Sequence, residues 1–111
     1  MEKITDPNKR TRRYVEEAYE QIMKRPDIVD VLILNKIGNP VKTTMEEEIA
    51  IQCAGLYELL RLRAHYIVHK LDQEDELLMV RLRTGGTEVI ICPDGNITCI
   101  VVQRPVDRMQ T

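Results

Sequence analysis

Tryptophan, phenylalanine and serine are all absent from this chain, and four tyrosines make up its whole aromatic content. Platforms that stack bases and cages that hold cations therefore have little to be built from, and the core has to be aliphatic. A serine nucleophile is excluded outright. The cysteines are few and odd in number: Cys53, Cys92 and Cys99 lie within apolar stretches without Cys-x-x-Cys spacing. They read as buried thiols in a reducing compartment, not as a disulfide framework or a thiol catalyst. Strong charge of either sign is lacking too, with 16 basic against 18 acidic residues. The global field offers no attraction to nucleic acid or to an anionic membrane, so any basic site is local. No apolar run approaches the roughly 20 residues that span a bilayer, and Glu2, Lys3 and Asp6 follow Met1 where a secretory signal would be apolar. The expected location is the cytosol or nucleus.

Motifs for small-molecule chemistry are equally scarce. Gly38 and Gly85-Gly86 fit neither a P-loop nor a dinucleotide fingerprint and read as turn residues. The carboxylates Asp72, Glu74, Asp75 and Glu76 lack the glycine and spacing of a calcium loop. His65 and His69 stand one helical turn apart, as metal ligands would, but without the glutamate of H-E-x-x-H or an evident third ligand. They read as polar surface near a helix C-terminus. Asn96-Ile97-Thr98 matches a glycosylation acceptor by coincidence in a turn. The expectation is a protein with no catalytic residues, no metal and no cofactor.

What is present is a chain of 111 residues with 43% hydrophobic content, enough for one core and one domain. Residues 1–13 carry Lys3, Lys9, Arg10, Arg12 and Arg13 against Glu2 and Asp6 and read as a basic, flexible arm. From Thr11 to Lys24 the residues Tyr14, Val15, Ala18, Tyr19, Ile22 and Met23 occupy one half of a helical wheel, and Pro26 ends the helix. A strand over Val29–Asn35 and a short second strand from Pro40 form a hairpin around Ile37-Gly38-Asn39. Proline places that second strand at an edge or a strand start. Thr43 or Thr44 is the expected cap of a long helix running to about Lys70. Strands follow over Leu77–Arg83, Thr87–Cys92 and Ile97–Gln103, separated by Gly85-Gly86 and Asp94-Gly95-Asn96. The last two are apolar at nearly every position, which calls for cover on both faces of the sheet. The reading is an α+β domain of order α-β-β-α-β-β-β over residues 14–105, with a mainly antiparallel sheet between helices and a short tail over 106–111.

On the long helix, Ile49, Cys53, Leu56, Tyr57, Leu60, Ala64, Ile67, Val68 and Leu71 form a stripe expected to cover the sheet. Ile51, Leu59, Leu62 and Tyr66 form a second patch that a lone subunit does not easily bury, so a second copy or a partner is expected there.

Three segments resemble the roadblock light chain family of dynein motors. They are VLILNKIGNPVKTTM (Asn35, Gly38, Pro40, Lys42, Thr44), DQEDELLMVRLRT (Asp72, Asp75, Leu77, Arg81, Arg83) and EVIICPDGNITCIVVQRP (Glu88, Pro93, Asp94, Val102, Gln103, Pro105). With Ala54 they run in unbroken order from about residue 15 to 105. The resemblance implies a non-catalytic homodimer, or a pair with a paralogue, whose sheets join edge to edge through Leu77–Arg83 with the long helices side by side. The interface it implies comprises Ile51, Leu59, Leu62, Tyr66, Leu78, Val80 and Leu82, with Arg61, Arg81 and Arg83 on a rim that meets a partner. That partner would be a helical segment of the dynein intermediate chain, in cytoplasmic or axonemal transport, and neither nucleic acid nor membrane. Similarity to bacterial and lysosomal relatives implies an alternative role as a scaffold or regulator of a small GTPase. Gly95 and Asn96, where the family carries aromatic residues, and the longer basic arm mark a specialised paralogue.

Overall fold

The elements follow in the expected order: α1 (Pro7–Met23), β1 (Ile28–Leu34), β2 (Pro40–Thr43), α2 (Glu47–Leu71), β3 (Val80–Arg83), β4 (Glu88–Asp94) and β5 (Ile97–Gln103). This is a computed structural model, and it describes residues 7–105, with side chains from Arg12 onward. The five strands form one sheet in the order β2-β1-β5-β4-β3, and every neighbouring pair is antiparallel.

Turn chemistry explains the two hairpins flanking the sheet centre. Asn35 organises the first, its Oδ1 accepting from the amides of Ile37 at 3.1 Å and Asn39 at 2.9 Å. Gly38 closes that turn at φ +90°, a conformation open to glycine at no steric cost, and a Cβ there would touch Glu58 Cγ at 3.5 Å. Gly95, at φ +62°, sits in the two-residue connection between β4 and β5, which fixes the Asp94–Ile97 register.

Pleat alternation sends the strand side chains to two separate cores. Leu32, Leu34, Val89, Ile91 and Ile100 pack with Ala50 and Ala54 of α2, while Val31, Ile33 and Ile97 pack with Val15 of α1. The helices thus cover opposite faces, as the apolar strands require.

Four expectations are corrected. Helix α1 begins at Pro7, so residues 7–13, expected in the arm, are helical; proline suits the first helical position because it has no amide to satisfy there. Residues 1–6 of the arm and the tail 106–111 lie outside the described residues. Neither threonine caps α2: its N-cap is Glu46, without a side-chain cap bond. Thr43 and Thr44 instead bind β1, Thr43 Oγ1 donating to the Val31 carbonyl at 2.7 Å and Thr44 Oγ1 accepting from the Val31 amide at 2.9 Å. Strand β3 starts at Val80 and not at Leu77. Continuing its register would set Leu78 opposite Pro93, which has no N–H to give. Finally, the side of α2 against the sheet centres on Ala50 and Ala54, with Cys53, Tyr57 and Leu60 beside them; Ile49, Leu56, Ile67 and Leu71 point away and are exposed.

Candidate interaction surface

Helix α2 is capped electrostatically at both ends, by Glu47 and Glu48 in its first turn and His69 and Lys70 in its last. Its small residues Ala50 and Ala54 face inward, packed against the sheet. Its large ones face out: Ile51, Leu59, Leu62 and Tyr66 are 48–60% exposed, and Ile49, Leu56 and Ile67 extend the same outer surface. Only polar residues such as Gln52, Arg63 and Lys70 interrupt this apolar back. A groove of about 840 Å³ opens beside it, between β2 and the start of α2, with Pro40, Val41, Met45, Ala50, Ile51 and Ala54 among its walls. Ile51 belongs to both groove and back.

Strand β3 is an outer strand of the sheet, and its other side has no partner among the described residues. Val80 and Leu82 face the α2 side; Val80 is half-buried against the core, and Leu82 is 42% exposed. Leu78 lies before the strand and is 71% exposed. Of the seven residues expected at an interface, Val80 is therefore partly used by its own core, and the other six are open.

The three arginines expected on a rim separate. Arg61 is engaged within its own helix: its Nε and Nη2 donate to both oxygens of Glu58 at 3.0 and 2.7 Å, and both side chains are largely covered. This fork holds the Arg61 guanidinium charged more firmly than usual, against the opposing effect of burial. Arg81 and Arg83 do share a face, the α1 side of the sheet edge. Arg81 donates to Glu88 Oε2 at 2.8 and 3.1 Å, and Arg83 makes no ion pair among the described residues.

A polar chain reaches this edge from Arg25, just before β1, and sequence patterns did not reveal it. Arg25 donates to Gln103 Oε1 at 2.6 Å, Gln103 Nε2 donates to Glu88 Oε1 at 3.0 Å, and Glu88 accepts Arg81. Gln103 is only 5% exposed; its position at the end of an apolar strand, opposite Glu88, was the available signal. The bond from Gln103 first, and then Arg81, holds the Glu88 carboxyl below its ordinary value. A depressed carboxyl contributes stability above the unfolded carboxylate range and loses it as pH falls through the folded value. The stability difference between wild type and Glu88→Gln should therefore shrink as pH is lowered through the carboxylate range near about 4. Urea unfolding of both proteins at a series of pH values checks this, and a difference constant with pH would contradict it.

Two of the thiols are held toward their protonated form. Burial foremost, then Asp94, pushes Cys99 up to about 11 and raises Cys92 as well. Tyr14, which donates to Asp94, is also raised by that bond. His65 and His69 have ring centroids 4.3 Å apart, but no group of three or more metal-ligating side chains occurs among the described residues. Nor is any described helix long and apolar enough to cross a membrane.

This is an α+β domain whose antiparallel sheet is held between two helices and, among the described residues, left bare at the β3 edge. The chain belongs to the Roadblock/LC7 family, whose domain model matches residues 14–104. In fold it is similar to the Roadblock/LC7 domain from Streptomyces avermitilis, with a TM-score of 0.69 and 12% sequence identity, covering 77% of this chain and 73% of that one. The family includes dynein light chains and regulators of small GTPases, and its domains commonly dimerise.

Proposed function

We propose that this chain is a non-catalytic dynein light chain, a dimeric adaptor of the cytoskeleton-associated motor that binds a helical segment of the dynein intermediate chain. The observation that carries this reading is the inversion of α2, which buries Ala50 and Ala54 and leaves Leu59, Leu62 and Tyr66 about half exposed. Full burial of a large apolar side chain contributes about 1.5–3 kcal/mol, so covering what remains open on several of them offers several kcal/mol toward association. The bare β3 edge adds unpaired backbone groups to the same subunit boundary. Joining two copies there sets both α2 helices on one side of a doubled sheet. A partner helix then has the remaining apolar surface of the α2 side to bury against.

Isothermal titration of the full chain with an intermediate-chain peptide is the test. Saturable binding at one peptide per subunit is expected, and no heat at high micromolar concentration would overturn the light-chain reading. If the protein instead alters GTP turnover by a small GTPase, the regulatory branch of the family is the better description.

A further inference from the structure

We propose that two copies joined through β3 create an anion site at their seam, built from Arg81 and Arg83 of both subunits and suited to a carboxylate-rich peptide segment; this rests on the dimer reading above. In the β3–β4 ladder Arg81 lies opposite Ile90 and Arg83 opposite Glu88, so both arginines stand on the α1 side of the sheet. Antiparallel pairing of two β3 strands about a two-fold axis normal to the sheet preserves its faces. All four guanidinium groups then share one face whatever the register, and a two-fold axis near Leu82 sets them within about 15 Å of one another, given strands about 5 Å apart.

Their compensation is incomplete. Each Glu88 is already engaged, one oxygen by Arg81 and the other by Gln103, and Arg83 has no ion pair among the described residues. Like charges brought together across a strand pair oppose it, so the seam is better formed with a bound anion. The surroundings select the kind. Guanidinium forks match carboxylates in a bidentate manner. The adjoining floor is aliphatic and sulfur-bearing, with half-buried Ile90 and Cys92, and α1 lies over β1 and β2 instead. Neither β3 nor β4 carries an aromatic side chain on which a nucleotide base could stack. An acidic segment with an aliphatic side fits this combination.

Sedimentation equilibrium of the full chain at fixed ionic strength tests it, in chloride alone, with hexaglutamate peptide, and with pyrophosphate. Hexaglutamate should tighten wild-type dimerisation about tenfold, as expected for relief of a like-charge contact at an interface. Arg83→Gln should dimerise more tightly than wild type in chloride and lose the response, whereas Lys36→Gln, exposed in the β1–β2 turn at the opposite margin of the sheet, should keep it. A dimeric wild type indifferent to hexaglutamate overturns the site, as does loss of the response in Lys36→Gln. Tightening by pyrophosphate alone overturns the carboxylate assignment. A wild type that stays monomeric throughout overturns the dimer reading itself.

Discussion

Leu32→Ala should lower the free energy of unfolding by about 3 kcal/mol, within the 2–5 kcal/mol typical of such truncations in a packed core. Leu32 is fully buried on β1, between β2 and β5, where it packs in one cluster with Ala50, Ala54 and Ile100. The α2 side of the core is lined there by two alanines, which have no spare atoms to fill a void. The strand is held by ladders on both sides, so the backbone relaxes little into the gap. Thermal or urea unfolding at matched protein concentration checks the value; concentration has to be held constant because association would contribute to apparent stability. A loss below about 1 kcal/mol would mean that the site collapses freely and the α2 interface is looser than described.

Leu59→Asp should weaken dimerisation by at least about a hundredfold, near 2.7 kcal/mol, while leaving the fold of each subunit intact. The two halves of this expectation come from one fact, that Leu59 is 51% exposed and on the outer side of α2. An aspartate there is hydrated in the single subunit and costs it little. In a paired helix interface the same carboxylate would lose its water without gaining a partner. Sedimentation and far-UV circular dichroism on one sample separate the outcomes. Unchanged association would place the contact elsewhere, and lost helicity would mean that Leu59 supports the subunit's own fold.

The parts of the fold written locally were legible, and the parts decided by tertiary contact were not. Ile97–Gln103 and the Asp94-Gly95-Asn96 turn are recovered because apolar patterning and a glycine of positive φ mark them residue by residue. The end of β3 is different: Leu77, Leu78 and Met79 have strand character, yet pairing stops because Pro93 on the neighbouring strand has no amide hydrogen. The stripe on α2 failed for a related reason. Hydrophobicity ranks Ile49, Leu56 and Ile67 above Ala50 and Ala54, but close approach of a helix to a sheet favours small residues, and the large ones are left outside. Arg61 looked equivalent to Arg81 and Arg83 because nothing in the spacing weighs Glu58 one turn away against a partner. The chain from Arg25 through Gln103 and Glu88 to Arg81 joins residues 78, 15 and 7 positions apart and needs the strand register to be seen at all.

The two margins of the sheet are not alike. Along β2, Pro40 withholds a hydrogen-bond donor, the register slips between Ile33 and Leu34, and Lys42 is held by Glu16 and lies over the Tyr19 ring. Such a margin is a poor template for another strand. In the proposed dimer, union through β3 would consume the receptive margin and leave a pair of unreceptive ones, so such an assembly would be self-terminating, closing as a ten-stranded pair without polymerising into a ribbon.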